Sequence, residues 1–130
     1  MNRRGFLRLS LLGPLLGLAI PRIGRAVPAR RILIQTSPIA GFPYHHGEDL
    51  WPRLAVGQPL SLVREPGNHY DRRAVALYWR DCKLGYVPQR ENVVVAQMLD
   101  RGETLRAEIT HLVRCDDPWR RIGFKVELER

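Results

Sequence analysis

The segment that decides the fold lies at residues 64–75 and reads Arg64-Glu65-Pro66-Gly67-Asn68-His69-Tyr70-Asp71-Arg72-Arg73-Ala74-Val75. Alternating residues before it predict a strand that ends at Arg64, and the Pro-Gly-Asn run predicts a turn. Tyr70 and Asp71 follow the turn and are expected at the rim of the fold. A tyrosine ring can stack on a base, a guanidinium can hold a phosphate, and a carboxylate can accept from a hydroxyl. The same spacing also fits a tyrosine packed on the sheet, with Asp71 capping the turn.

On both sides of this segment, apolar and polar residues alternate in short runs, a pattern typical of β-strands. The predicted strands are Arg31–Thr36, with Ile32 and Ile34 on one face, Leu60–Arg64, Ala74–Trp79, Leu84–Val87, Leu105–Val113 and Ile122–Leu128. The link at residues 81–83 is short enough to predict a hairpin, and residues 39–51 predict a loop with a short strand. About six strands in a domain of about 100 residues indicate a mainly β fold, a small and partly closed β-barrel, because closure removes sheet edges.

One helix is predicted at Glu91–Arg101. Its apolar face consists of Val94, Val95, Met98 and Leu99. A helix with one apolar face packs that face on the core. We expect the side chain of Asn92 to cap the start of this helix and Gly102 to end it.

The first residues have the pattern of an export signal. Residues 3–8 read Arg-Arg-Gly-Phe-Leu-Arg, a twin-arginine core, and an apolar stretch follows from Leu9 to Ile20. About 12 apolar residues are too few for a membrane span, which needs about 20. We therefore expect a signal peptide at residues 1–29, cleaved near residues 26–29, and one domain at residues 30–130 that is exported to the periplasm or the medium. The leader would contact the membrane transiently, and its retention as an anchor is the alternative.

Most of the positive charge belongs to this leader. The whole chain has 21 basic and 13 acidic residues and a net charge of +8. Five arginines and no acidic residue lie in residues 1–29, so residues 30–130 carry 16 basic against 13 acidic side chains, a net charge of +3. A domain of this charge can contact phosphates, but its composition alone does not indicate nucleic-acid binding.

The sequence offers few groups for metal or covalent chemistry. Cys82 and Cys115 are the only cysteines, and either one disulfide or two separate thiols fits an exported protein. His45, His46 and His69 lack the usual spacing of zinc ligands, so zinc is a weak alternative and no cofactor is expected. The chain has no phosphate-binding loop, nucleophile elbow or H-E-x-x-H motif, and we expect it not to be an enzyme.

Several blocks of sequence, in order along the chain, carry a family resemblance. They are Ala40–Tyr44, Gly57–Pro66, Asn68–Asp71, Ala74–Val75 and Lys83–Pro88. The strings R-E-P-x-N-x-Y-D-x-x-A-V and L-G-Y-V-P within them are specific in combination. Over roughly residues 32–128 the chain resembles HIRAN domains. The resemblance implies an OB-like β-barrel that, in DNA-remodelling helicases, captures the 3′ end of single-stranded DNA.

The resemblance also implies roles for individual residues. Tyr44 and Tyr70 correspond to the aromatic residues that stack on bases, and Asp71 to the acceptor of the terminal 3′-hydroxyl. The further candidate nucleic-acid contacts are Arg64, Asn68, Arg73 and Arg90. The chain departs from the family pattern at three positions. Gly67 stands where an asparagine assists the hydroxyl contact, with Asn68 one place later. Pro43 replaces an arginine, and Gln89 replaces a basic residue for which Arg90 is the nearest substitute.

Together these patterns predict a non-enzymatic module that binds nucleic acid, with single-stranded ends as its partners. An alternative is an envelope module that binds proteins or glycans, because the leader directs the domain away from cytoplasmic DNA. A weaker alternative is a hydrolase-associated domain with Asp71 or His69 as base. The chain contains no motif of the ATPase motor to which domains of this family are often fused.

Overall fold

Strands supply most of the regular structure in the computed structural model, which describes residues 29–42, 47–114, 116–117 and 121–130. The strands of the described residues are β1 (Arg31–Pro38), β2 (Pro59–Arg64), β3 (Val75–Trp79), β4 (Cys82–Tyr86), β5 (Leu105–Leu112) and β6 (Ile122–Glu129). The same residues form two helices, α1 (Gly47–Leu50) and α2 (Val93–Asp100), and two 3-10 turns, Trp51–Arg53 and Gln89–Glu91. The predicted mainly β fold of six strands is confirmed.

The strands form one antiparallel sheet in the order β1-β6-β5-β2-β3-β4. Its halves, β1-β6-β5 and β2-β3-β4, meet at two seams. At the β2–β5 seam, β2 pairs with β5 only through Pro59 and Leu60. At the bridge seam, Ala40 and Tyr86 form one isolated bridge, with both N···O distances 2.9 Å. The ladder is therefore not continuous around the sheet, and the fold predicted as a partly closed barrel is a sheet that no continuous ladder closes.

The hydrophobic core is built from the alternating positions of β6 and from nearly the whole of β3. Along β6 every second residue is buried, and β3 is buried at four of its five positions. The largest fully buried apolar side chains are Ile39, Phe42, Leu77, Leu84, Ile109, Ile122 and Phe124. Ile39 and Phe42 belong to the segment after β1, so core packing holds that segment beside β4 at the bridge seam.

Gly85 allows the bridge seam to form. Its φ is +155°, and a Cβ atom at this position would overlap the carbonyl oxygen of Ala40 and lie 2.7 Å from Cγ2 of Ile39. Side chains do not tolerate such approaches, and only glycine adopts this backbone conformation without strain. The glycine of the L-G-Y-V-P string is thus needed for the two halves of the sheet to meet.

Two regions at the start of the domain differ from their predictions. Ile32 and Ile34, predicted on one face of β1, differ in burial: Ile32 is 47% exposed, whereas Ile34 packs against the core. The register with β6 shifts between Leu33 and Gln35, and this irregularity breaks the alternation of faces. Residues 39–51, predicted as a loop with a short strand, contain the bridge at Ala40 and then helical turns.

The helix α2 is confirmed, but its start and its buried face differ from the prediction. It begins after a 3-10 turn, and its buried residues are Val95 and Ala96, while Val94 is 50% exposed. The prediction that Asn92 caps the helix is wrong, because its side chain makes no capping hydrogen bond. Gly102, with φ of +82°, follows the last turn as predicted.

Several predictions concern parts of the chain outside the described residues. These parts include the leader up to residue 28, Tyr44, His45, His46 and Cys115. Within the described ranges, no helix has the length and apolar character needed to cross a membrane.

Candidate functional site

The turn that follows β2 is shaped by Asn68. Its N–H donates to the carbonyl oxygen of Glu65 at 3.0 Å. Its Oδ1 accepts from the N–H of Tyr70 at 2.9 Å and from the N–H of Asp71 at 3.1 Å. The Pro-Gly-Asn motif therefore predicts the turn correctly. Asn68 acts on the backbone that carries the next two side chains, because its oxygen replaces a turn carbonyl.

The carboxylate of Asp71 is held on both oxygens. Its Oδ1 accepts from the N–H of Arg73 at 2.9 Å, and its Oδ2 accepts from Nδ2 of Asn92 at 2.7 Å. Asp71 is half-buried. The alternative of a turn-capping aspartate is thus right for Oδ1, while Oδ2 is bound to the start of α2, 21 residues away.

Tyr70 lies at the rim and projects into solvent. Its exposed fraction is 92%, the largest among the exposed large hydrophobic residues of the described chain. The alternative in which this ring packs on the sheet is therefore wrong. An exposed ring on a backbone held by hydrogen bonds offers a flat apolar face to a ligand.

A network of polar side chains supports the turn from below. Glu65 Oε1 accepts from the hydroxyl of Tyr86 at 2.8 Å and from Nδ2 of Asn68 at 3.1 Å. Glu65 Oε2 accepts from Nζ of Lys83 at 2.8 Å, and the same Nζ donates to the Tyr86 hydroxyl at 2.9 Å. The turn is thereby fastened to β4, next to the bridge seam.

The network shifts the pKa values of its two charged members, Glu65 and Lys83. Burial disfavours the Glu65 carboxylate, but hydrogen bonds from Lys83, Asn68 and Tyr86 outweigh burial and lower the pKa of Glu65. Burial likewise opposes the charge of Lys83, but hydrogen bonds to Glu65 and Tyr86 prevail and raise the pKa of Lys83 well above its usual value. Both groups therefore remain charged at neutral pH.

An open cleft of about 590 Å³ lies beside the turn at the bridge seam. We call it the Tyr70 cleft. Its described lining residues are Ala40, Asn68, Tyr70, Asp71, Ala74, Tyr86, Pro88, Gln89 and Arg90. Its walls thus combine small apolar side chains with an exposed ring, a carboxylate and a guanidinium. In the described part of the chain, no neighbouring side chain plugs the cleft.

The structure brings together four of the seven predicted site residues: Asn68, Tyr70, Asp71 and Arg90. Arg73 is exposed beside the cleft. Arg64 does not line it, because its guanidinium binds both oxygens of Asp100, at 2.9 and 3.2 Å, and the carbonyl oxygen of Ala74 at 2.9 Å. This arginine joins β2 to the end of α2. The seventh residue, Tyr44, lies outside the described residues.

Sequence reasoning missed Glu65 and Asn92 as parts of the site. Glu65 belongs to the quoted segment, and its place in the R-E-P string is a signal that could have drawn attention to it. Asn92 carries a different signal, because an asparagine before a helix predicts a cap. Its contact with Asp71 depends on the packing of α2 against the turn, which no local pattern predicts.

A second cleft, of about 610 Å³, lies at the β2–β5 seam, and we call it the β2–β5 cleft. Its charged lining residues are Arg31, Arg80, Arg106, Glu108 and Glu127. Arg106 donates to Glu129 at 2.7 Å, and Arg31 lies 3.7 Å from the same carboxylate. Both acidic lining residues pair with Lys125, at 3.2 and 3.4 Å. Most charges of this cleft are therefore neutralised by neighbouring side chains.

Groups for metal chemistry are few in the described ranges. Those residues contain no cluster of three or more potential metal-ligating side chains. Cys82 carries a free, half-buried thiol. Its predicted alternative partner, Cys115, lies outside the described residues, as do two of the three histidines considered as zinc ligands.

Comparisons with known proteins agree with this architecture. A family model described as HIRAN domain matches residues 33–130. The crystal structure of a protein from Lactobacillus plantarum is similar with a TM-score of 0.69 and 25% identity, covering 79% of this chain and 99% of that chain. The HIRAN domain of human HLTF is similar in fold, with a TM-score of 0.59 and 14% identity over 76% of this chain and 78% of that chain. A search of curated proteins finds no significant match.

Proposed function

The chain belongs to the HIRAN domain family of nucleic-acid-binding modules, and we propose that it binds the 3′ end of a single DNA strand in the Tyr70 cleft, without catalysing a reaction. The observation that carries this proposal is the grouping of Tyr70, Asp71 and Arg90 on the walls of one open cleft. Stacking of a base on an aromatic ring contributes about 1–3 kcal/mol. The exposed ring of Tyr70 is available for such stacking without rearrangement.

Asp71 favours a terminal hydroxyl over a terminal phosphate. Each of its oxygens accepts one hydrogen bond from the protein and keeps capacity for another. A 3′-hydroxyl can donate to this carboxylate, whereas a 3′-phosphate would bring a second negative charge against it. Arg90, on the same cleft, can pair with the phosphate that precedes the terminal nucleotide. The cleft therefore has one group for the end of the strand and one for its backbone.

The small number of cations predicts a weak dependence on salt. Arg90 is the one basic residue among the described lining residues of the cleft, and Gln89 stands beside it. For single strands, the logarithm of the binding constant falls with the logarithm of salt concentration by about 0.7 per neutralised phosphate. One or two phosphate contacts would give a slope between about −0.7 and −1.4. Base stacking and the end contact would then supply most of the specificity.

Fluorescence anisotropy with a short single strand labelled at its 5′ end tests the proposal. We expect a strand with a 3′-hydroxyl to bind more tightly than the same strand with a 3′-phosphate. Tyr70→Ala should weaken both by about tenfold or more, because stacking is lost. Asp71→Asn removes the negative charge and should narrow the difference between the two ends. Asp81→Asn, in the exposed β3–β4 hairpin, is the matched control and should bind like the wild type.

Two results would contradict the proposal. One is the absence of measurable binding to either strand by a folded wild-type domain. The other is equal binding of both strands by the wild type and by Tyr70→Ala, since the Tyr70 cleft would then not hold the end. Binding to proteins or glycans of the envelope, with no binding to DNA, would favour the alternative function.

We further propose that the domain acts outside the cytoplasm, on the basis of the twin-arginine pattern of the leader. Replacing Arg3 and Arg4 by lysine should retain the tagged full chain in the cytoplasm, because this route is read by a receptor. Replacing Arg22 and Arg25 by lysine is the matched control and should leave export unchanged. Fractionation measures both, and equal export of the two variants would exclude the twin-arginine route.

A further inference from the structure

Asn92 occupies a helix start without using its side chain as a cap. Its backbone oxygen accepts from the N–H of Ala96 at 2.8 Å, as the residue before a helix normally does. Its side chain makes no capping hydrogen bond. Asparagine at this position usually accepts from the first N–H groups of the helix, and this stabilises the helix. In this protein Nδ2 of Asn92 instead donates to Asp71 at 2.7 Å.

The carbonyl oxygen of the same side chain is left without a partner. Asn92 is 1% exposed, and its Oδ1 is the one buried side-chain polar atom without a hydrogen bond in the described part of the chain. A buried acceptor that makes no hydrogen bond destabilises the folded state, because its contacts with water are lost and not replaced. The position of Asn92 therefore costs stability twice, through the missing cap and through the unpaired oxygen.

We propose that Asn92 is a positioning residue that orients the Asp71 carboxylate toward a ligand hydroxyl, at the expense of the stability of the free domain. The side chain of Asn92 donates to Oδ2 of Asp71, and the backbone N–H of Arg73 donates to Oδ1. With both oxygens held, the carboxylate cannot rotate freely in the cleft. The inference rests on the proposed function of the Tyr70 cleft and adds a residue that does not line it.

A purely structural role for Asn92 predicts a different outcome. If the contact only ties the turn to α2, its loss should lower stability and should weaken binding of every strand to the same degree. If Asn92 orients Asp71, its loss should affect only strands whose end Asp71 recognises. The ratio of affinities for a 3′-hydroxyl strand and a 3′-phosphate strand separates the two roles.

The test uses Asn92→Leu, which keeps the branched shape of the side chain, is somewhat larger and removes both polar atoms. We expect its melting temperature to equal or exceed that of the wild type. We expect about a tenfold weaker binding of the 3′-hydroxyl strand and unchanged binding of the 3′-phosphate strand. Gln97→Leu, an exposed amide on the same helix, is the matched control and should change neither quantity.

A double-mutant cycle shows whether Asn92 acts through Asp71. In the Asp71→Asn background, Asn92→Leu should have no further effect on the affinity for the 3′-hydroxyl strand, because residues that act as a unit are not additive. Independent losses in the two variants would overturn the inference. An unchanged ratio of affinities in Asn92→Leu would overturn it as well, while leaving the proposed function intact. Failure of the wild type to bind any strand would overturn both.

Asn92→Ala is the second variant, used if leucine does not fit at position 92. An unfolded Asn92→Leu would contradict the expected stability. The smaller alanine leaves room for water beside Asp71, so the domain should still fold. A reduced ratio of affinities in Asn92→Ala would then support the positioning role, and a wild-type ratio would overturn it.

Discussion

The Tyr70 cleft and the β2–β5 cleft both lie where the two halves of the sheet meet, and their volumes are nearly equal, about 590 and 610 Å³. The two clefts differ in the partners of their carboxylates. In the Tyr70 cleft, the protein holds the Asp71 carboxylate with neutral N–H donors and leaves the ring of Tyr70 in solvent. In the β2–β5 cleft, the acidic side chains are paired with Lys125.

The difference shows that a cavity of suitable size is not sufficient evidence for a binding site. Carboxylates that are already paired with cations gain little by contacting a ligand, because the existing pair must first be broken. A carboxylate held by neutral donors keeps its charge available. The buttressing by Glu65, Lys83 and Tyr86 further distinguishes the Tyr70 cleft, since it restricts the turn that carries the functional groups.

The largest expected effect is a loss of stability when the bridge seam is disrupted. Gly85→Ala should lower the free energy of unfolding by about 3 kcal/mol or more, because the added carbon overlaps the Ala40 carbonyl. Chemical denaturation measures this change. Gly67→Ala is the matched control: a Cβ atom there meets nothing within 4 Å, and its effect should remain below about 1 kcal/mol. Equal effects of the two substitutions would contradict the role of Gly85.

The next largest effect on stability is expected at the lysines that lie near the two clefts, Lys83 and Lys125. Lys83→Met should lower the free energy of unfolding by about 1 kcal/mol, because Glu65 loses a charged partner while solvent screens part of the interaction. Lys125→Met removes two half-buried ion pairs beside the β2–β5 cleft, with Glu108 and Glu127, and should lower stability less, because such pairs contribute little where solvent still reaches them. Thermal and chemical denaturation of both variants check this. A larger loss for the Lys125 variant would reverse the comparison.

The arginines of the two clefts should differ in their effect on strand binding. Arg90→Met should weaken binding of the 3′-hydroxyl strand by about threefold to tenfold, which corresponds to about 0.7–1.4 kcal/mol, because one phosphate contact is lost. Arg106→Met should leave the affinity unchanged, since Arg106 is engaged by Glu129 at the other seam. Anisotropy with both variants distinguishes the clefts. Equal weakening would mean that binding reflects general charge rather than the Tyr70 cleft.

The smallest expected effect is on the pH dependence of folding stability. The pKa of Glu65 is lowered in the folded protein, because hydrogen bonds from its three partners outweigh burial. Its contribution to stability is therefore complete above the ordinary glutamate value of 4.5 and is lost as the pH falls through the lower, folded pKa. Glu65→Gln should lack this acid-dependent loss, and melting temperatures measured from neutral to acidic pH would show a flatter profile.

Glu129 is the matched comparison for this pH profile. A hydrogen bond from Arg106 lowers the pKa of Glu129 in the same direction, but the side chain of Arg106 is 55% exposed, and solvent screens the pair. Glu129→Gln should therefore flatten the profile less than Glu65→Gln does. A profile of Glu65→Gln that matches the wild type would show that the network contributes no acid-sensitive stability.

Local sequence patterns predicted the strands and the turn well. The alternation along Ile122–Leu128 marks the buried face of β6, and the Pro-Gly-Asn run predicts the turn that precedes Tyr70. These features depend on residues close together in sequence, so their periodicity and turn chemistry are sufficient. The helical turns that precede β2 and the irregularity in β1 were not predictable in this way, because core packing and strand register decide them.

The candidate site was predicted only in part for the same physical reason. Arg64 and Arg90 look alike in the sequence, yet Asp100 engages the guanidinium of Arg64, and Arg90 lines the cleft. Asn92 has the sequence signal of a helix cap, yet it binds Asp71. The partners of Arg64 and Asn92 lie 36 and 21 residues away in the sequence.

The sequence by itself determined the strand pattern, the turn that precedes Tyr70 and the family to which the chain belongs. The tertiary structure decided that Tyr70 is exposed, which charges are paired, and which of two clefts of nearly equal volume presents a carboxylate held by neutral donors. Periodicity and turn propensity act over a few residues, whereas pairing depends on which distant side chains the packed sheet and helix bring within hydrogen-bond distance.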